Sequence, residues 1–192
     1  MRKAQITRKT KETEISLALS LDGAGKAEIS TGVGFFDHML ELLTVHSGID
    51  LVLSCKGDLQ VDAHHTVEDC GIALGDAFRA ALGEKRGIAR FADRIVPMDE
   101  CCALVALDLS GRAYLAMEDR LDGKAGNFDL ELVEEFLRAF SSHVGCNLYI
   151  RLLRAGNRHH EAEAIFKALA LCIKDGVRVV SDAVPSSKGV LE

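Results

Sequence analysis

Apolar residues along this chain recur at two spacings, and the switch between them marks out strands and helices. Ile15, Leu17, Leu19 and Leu21 are separated by Ser16, Ala18 and Ser20, the two-residue period of a strand with one buried face, and Asp22-Gly23-Ala24-Gly25 closes it with a hairpin turn. Between Phe35 and Val45, Phe36, Met39, Leu40 and Leu43 fall at helical spacing. Gly48 then ends that run, and Ile49 to Cys55 reads as a buried strand. After the segment Asp62-Ala63-His64-His65-Thr66-Val67-Glu68-Asp69, the residues Ile72, Leu74, Ala77, Phe78 and Leu82 predict an amphipathic helix that Gly83 closes.

The second half follows the same plan. Leu130, Val133, Phe136, Leu137 and Phe140 predict a helix and Leu148 to Leu153 a strand. Arg158-His159-His160-Glu161-Ala162-Glu163 then opens a helix carried on by Ile165, Phe166, Leu169 and Ile173. Cys101 to Leu107 and Ala113 to Met117 add two strands joined through Asp108-Leu109-Ser110-Gly111-Arg112. Sheets with helices packed on one face predict an α+β fold of two similar βα repeats from an internal duplication, one over residues 1–89 and the other over 90–192.

Composition narrows the classes. A chain of 192 residues that is 48% hydrophobic can bury a core without covalent staples, and its six cysteines form no C-x-x-C pair, so they are expected as buried, reduced thiols. With 29 acidic against 23 basic residues and a formal charge of -6, no cationic footprint for nucleic acid is present. The longest apolar run, Cys101 to Leu107, is too short to span a membrane, and Met1-Arg2-Lys3-Ala4-Gln5 leads into polar residues. A soluble, unprocessed cytoplasmic protein is expected.

Both halves carry H-H-x-x-E, as His64-His65-Thr66-Val67-Glu68 and His159-His160-Glu161-Ala162-Glu163. On a helix, residues four apart lie about 40° apart and one turn up, so His64 with Glu68, and His159 with Glu163, can grip one ion. His65 and His160 are turned by roughly 100° from their neighbours and would serve a different ion. One such motif is more simply a polar helix start. Two copies at equivalent places, in a chain with seven histidines, favour metal binding. Mixed imidazole and carboxylate ligation with room for substrate favours six-coordinate Mn²⁺ over tetrahedral zinc. A dinuclear metallohydrolase and a metal-assembled structural protein use the same motifs and stand as rivals.

Four runs in this order carry a specific resemblance: Gly34-Phe35-Phe36-Asp37-His38-Met39-Leu40, then the segment Asp62 to Asp69, then Asp108-Leu109-Ser110-Gly111-Arg112, then His159-His160-Glu161-Ala162-Glu163. Together with Arg8-Lys9-Thr10-Lys11-Glu12-Thr13 and Pro185-Ser186-Ser187-Lys188-Gly189, they make the chain similar to imidazoleglycerol-phosphate dehydratases over nearly its whole length. The resemblance implies metal-dependent dehydration of D-erythro-imidazole glycerol phosphate to imidazole acetol phosphate in histidine biosynthesis. It implies two Mn²⁺ per active site, with His64, Glu68 and His160 on one ion and His38, His65, His159 and Glu163 on the other. The family position that pairs with His38 in the second repeat is often histidine, whereas Glu135 stands there, and a carboxylate also binds manganese. Glu135 is the expected further ligand of the ion held by His64, Glu68 and His160, with His143 the competing candidate.

The family reaction removes a proton from a carbon that no carbonyl activates, so the imidazole ring, held through both nitrogens, has to help expel the hydroxyl. Glu12 is the implied base, with Glu163 the alternative. Arg90, Arg112, Lys167 and Lys188 stand in segments resembling the family's phosphate contacts, with Ser186 or Ser187 adding hydroxyls. The resemblance further implies a homo-oligomeric shell of about 24 subunits with metals at subunit contacts.

Overall fold

The computed structural model describes residues 1–189 and residue 191. Its first half is a four-stranded sheet in which β1 (Lys3–Lys9), β2 (Thr13–Ser20) and β4 (Asp50–Gly57) are antiparallel neighbours, with β3 (Ala27–Ser30) parallel to β4 at the edge. Helix α1 (Gly34–Ser47) joins β3 to β4, and α2 (His64–Leu82) follows. The second half repeats this with β5 (Phe91–Met98), β6 (Cys101–Asp108), β10 (Asn147–Arg154) and β7 (Tyr114–Met117) in the same order and senses. Its helices are α3 (Glu131–Val144) and α4 (Arg158–Gly176), and a small ribbon of β8 (Lys124–Ala125) and β9 (Phe128–Asp129) precedes α3. Two similar halves, each a sheet with helices on one face, are thus seen in the topology as well as in the sequence.

The halves meet through their helices. α2 lies along α3 and α1 along α4, so a double layer of helices is enclosed between the two sheets. Each sheet buries one face: Ile15, Leu17 and Leu19 of β2, and Ala103, Val105 and Leu107 of β6, all turn inward. Phe136 sits at the centre, with its ring 5.4 Å from Phe36 of α1, 5.5 Å from Phe166 of α4 and 6.1 Å from Phe140. Helices α2 and α3 approach closely because Gly71 and Gly75 present no side chain. A Cβ on Gly71 would lie 2.9 Å from the Ala139 Cβ, and one on Gly75 would lie 2.5 Å from the His143 Cβ.

The duplication extends to helix ends. α1 stops at Gly48 (φ 77°) and α3 at Gly145 (φ 70°), each in the left-handed conformation that glycine adopts without cost. Five cysteines are buried, Cys102 is half-buried, and none is bridged. Burial pushes the Cys146 and Cys172 thiols up to about 12. Among the described residues no helix is long and apolar enough to cross a membrane.

Strands β1, β3 and β5 stand outside the strands expected from apolar spacing, and all are edge strands. β5 carries Pro97 and turns Phe91 and Ile95 outward, which hides its alternation; an edge strand tolerates both.

Candidate metal centre and anion pocket

The two motif helices begin in the same way. The Asp62 carboxylate accepts the His64 amide at 2.8 Å and the Asn157 side chain accepts the His159 amide at 2.9 Å, so an Asx residue two positions before each motif fixes its first turn. In the second motif the expected helical pairing is tight, with His159 Nε2 3.2 Å from Glu163 Oε2. α1, packed along α4, brings His38 Nε2 to 3.7 Å from the same oxygen. Donor separations of this size match the edge of an octahedron around a divalent ion, about 3 Å for bonds near 2.1 Å. Two imidazoles and one carboxylate, all half-open to solvent except Glu163, fit such an ion with positions left for further ligands. Burial alone would push the Glu163 carboxyl up, but the Lys167 ammonium, 2.6 Å away, outweighs it, aided by His38 and His159, and the carboxyl titrates below its ordinary 4.5.

The remaining motif donors lie elsewhere within the chain. His64 Nε2 is 4.0 Å from Glu68 Oε2, a looser version of the same pair. His65 does not join His38, His159 and Glu163; its Nδ1 is 3.0 Å from Asp58, which raises its pKa above the usual value. Nor does His160 join His64 and Glu68; its Nδ1 is 3.0 Å from Glu100. The Glu100 carboxyl, held by the Asn157 amide, its own amide and the His160 ring, is lowered to about 2. Within one chain, therefore, the six motif side chains are divided between separate locations, with His38 added to one of them.

Glu135 is half-buried on α3. Because Gly71 faces Phe136 and Ala139, and Gly75 faces Phe140 and His143, the same register one turn earlier puts Glu135 at about the height of Glu68 along α2. His143 is bonded instead to Asp76 at 3.0 Å, roughly 18 Å along α2 from His64 at 1.5 Å per residue. Glu12 occupies the turn between β1 and β2. Arg8 donates to Asp69 at 2.8 Å and Thr13 donates to the same carboxylate, which pins this hairpin to α2. The Glu12 amide bonds to Thr10 Oγ1, while its carboxylate is exposed and has no hydrogen-bond partner among the described residues.

Arg90, Arg112, Ser186, Ser187 and Lys188 line one cavity of about 350 Å³, together with Ser110 and Leu191. Ser110 was not expected from sequence; its hydroxyl accepts the Arg112 amide at 3.3 Å and shapes the turn. Arg90, at φ 71°, donates to Asp108 at 2.7 and 3.1 Å and to the Pro185 carbonyl at 2.8 Å, which tethers the tail that carries Ser186 and Lys188. Lys167 is absent from this cavity. Within one chain its ammonium lies 2.6 Å from Glu163. An apolar groove of about 380 Å³ on the outer face of the second sheet, lined by Phe91, Tyr114 and Tyr149, contains none of the expected site residues.

Comparison with known proteins gives the family. Residues 31–173 match the family model for imidazoleglycerol-phosphate dehydratase. Relatives of that name include one from Azorhizobium caulinodans, 51% identical over 100% of this chain and 99% of its own, and one from Oceanobacillus iheyensis, 52% identical over the whole of both. Among solved structures, imidazoleglycerol-phosphate dehydratase from Staphylococcus aureus superposes with a TM-score of 0.84 at 38% identity, covering 93% of this chain and 99% of its own. The Pyrococcus furiosus enzyme, in complex with (S)-C348, gives 0.85 at 34% identity over 97% and 100%. The chain belongs to the imidazoleglycerol-phosphate dehydratase family, hydro-lyases of histidine biosynthesis.

Proposed function

We propose that the protein dehydrates D-erythro-imidazole glycerol phosphate to imidazole acetol phosphate with two Mn²⁺ per active site, and that each site is completed by a second copy of the chain. The observation that carries this reading is the His38, His159 and Glu163 cluster at the start of a helix whose counterpart, α2, holds an equivalent but incomplete set. One copy contributes His64, Glu68 and Glu135 to one ion and His65 to the other. The second copy supplies His160 to the first and His38, His159 and Glu163 to the second. This division accounts for donors that are separate within one chain, and it supports a homo-oligomer, read as a shell of about 24 subunits.

When bound, the ions supply Lewis-acid polarisation of the substrate's imidazole ring. The chain's own residues do the rest. Arg112, Lys188, Ser186 and Ser187 bind the phosphate, with Ser110 shaping the turn and Arg90 holding the tail through Asp108 and Pro185. Glu12, with its free carboxylate on a pinned turn, accepts the proton from the carbon next to the one losing hydroxyl, and Glu163 is the alternative base. Lys167 keeps Glu163 ionised and turned toward the two histidines. Buried, unbridged thiols accord with a reducing cytoplasmic setting. Manganese-loaded protein incubated with imidazole glycerol phosphate is expected to form imidazole acetol phosphate without releasing inorganic phosphate. Phosphate release without ketone would overturn the reading in favour of a metallohydrolase.

A further inference from the structure

The second histidine of each motif has a partner that the motif does not contain. His65 Nδ1 lies 3.0 and 3.2 Å from the two oxygens of Asp58, and His160 Nδ1 lies 3.0 and 3.3 Å from those of Glu100. A carboxylate can only accept, so the proton sits on Nδ1 and each ring offers the Nε2 lone pair outward. That nitrogen is uncommitted in His160, where the nearest carboxylate oxygen, on Asp99, is 3.7 Å away. Among the described residues His64 and His159 have no such Nδ1 partner, and instead face the glutamate one turn on. The arrangement thus belongs to the second histidine of each motif, and in His160 the exposed Asp99 carboxylate also lies near the ring.

The two carboxylates come from different places in the repeat. Asp58 directly follows β4. Glu100 directly precedes β6, in the turn of the β5–β6 hairpin, and its repeat equivalent is Glu12, which directly precedes β2. Had duplication alone set the pattern, Glu12 would hold His65. Asp58 holds it instead, and the Glu12 carboxylate is left without a partner.

We infer that Asp58 and Glu100 are positioning residues that fix the tautomer and direction of His65 and His160 for metal, and that Asp58's hold on His65 is what leaves Glu12 free for the substrate. The inference rests on the metal-site reading above. A carboxylate behind a metal-binding imidazole fixes the ring and raises its basicity, and losing it weakens metal affinity by about 10- to 100-fold. The repeat-equivalent glutamates therefore have different work: Glu100 acts on the metal through His160, and Glu12 acts on the substrate.

The test combines nitrogen NMR of the histidine rings in metal-free protein with manganese titration of the oligomer. His65 and His160 are expected as Nδ1–H tautomers, and Asp58→Ala and Glu100→Ala are expected to release one ring each toward the Nε2–H form. Each variant should lose about 10- to 100-fold in affinity at one class of manganese site, with Asp58→Glu and Glu100→Asp recovering part of it. Glu12→Ala should leave both tautomers and both affinities as in the unaltered chain. Unchanged tautomers in Asp58→Ala and Glu100→Ala, or equal loss of manganese affinity in Glu12→Ala and Glu100→Ala, would overturn the inference. Failure of the unaltered protein to bind manganese would overturn the metal reading instead, and the tautomers, read without metal, would still decide this one.

Discussion

Replacing Gly75 by alanine sets two effects of known size against each other. On helix propensity alone the substitution is favourable, since glycine costs about 1 kcal/mol against alanine in a helix interior. The packing points the other way. The new Cβ would stand 2.5 Å from the His143 Cβ, 2.9 Å from the Phe140 carbonyl oxygen and 3.1 Å from the Val144 amide nitrogen, all on α3. Carbon atoms pack at about 3.5–4.0 Å, so α3 must retreat by on the order of 1 Å, and backbone atoms cannot swing aside as a side-chain tip does. Overpacking of this kind costs about 1–3 kcal/mol, and more where the backbone resists. Since two of the three clashes are with backbone, the upper part of that range, about 2–3 kcal/mol, applies, and less the propensity gain the net expectation is a loss of about 1–2 kcal/mol, or a melting temperature lower by about 2–4 °C per kcal/mol. Gly34→Ala is the control, because nothing lies within 4 Å of a Cβ there. Urea unfolding of metal-free protein at fixed concentration reads both. A Gly75→Ala variant as stable as the unaltered chain, or more so, would refute the close approach of α2 and α3.

Arg112→Ala should raise KM for the phosphate-bearing substrate by about 10- to 100-fold, the equivalent of roughly 1.5–3 kcal/mol for hydrogen bonds to a charged group, while Lys167→Ala leaves KM near its starting value. Steady-state kinetics separates them, and the reverse ranking would return Lys167 to the phosphate. Glu12→Gln keeps shape but accepts no proton, so turnover should fall by about 100-fold or more with metal content intact. Normal turnover in Glu12→Gln, with the loss appearing in Glu163→Gln, would transfer the role of base. For Glu100, a folded pKa of about 2 against an ordinary 4.5 means that its stabilising contribution is present above about pH 4.5 and fades as pH falls toward 2. The melting-temperature gap between metal-free unaltered protein and Glu100→Gln should therefore be constant from pH 7 to 5 and close by pH 2. A gap that widens with acid would contradict the assignment.

The repeat was legible because each copy writes it in local signals: the helical spacing around Phe36 and Phe136 and the paired motifs on α2 and α4. Three of the four edge strands of the two four-stranded sheets, β1, β3 and β5, were not legible. β1 places Ala4, Ile6 and Arg8 only half inside, and in β5 the outward Phe91 and Ile95 blur which face is buried. The site shows the same divide. Of the four donors that the resemblance puts on one ion, His38, His159 and Glu163 lie together and His65 does not, whereas Glu100 meets His160 across 60 residues and Asp69 meets Arg8 across 61, contacts that only the packed fold creates. A lysine one turn after a buried glutamate reads equally as phosphate ligand or counter-ion, and within one chain Lys167 stands 2.6 Å from Glu163.

If one active site draws on two copies of the chain, two variants that are inactive alone should restore each other when mixed. His65→Asn should disable the ion that takes its first motif from one copy, and His160→Asn the ion that takes its second motif from the other, so each variant alone should be inactive. Co-assembled at equal amounts, a site that pairs the first motif of His160→Asn with the second motif of His65→Asn is intact, and random assembly makes about a quarter of all sites of this kind. Dehydration of imidazole glycerol phosphate at about a quarter of the unaltered rate is the expected result. A co-assembled mixture as inactive as its parents would contradict a site shared between copies.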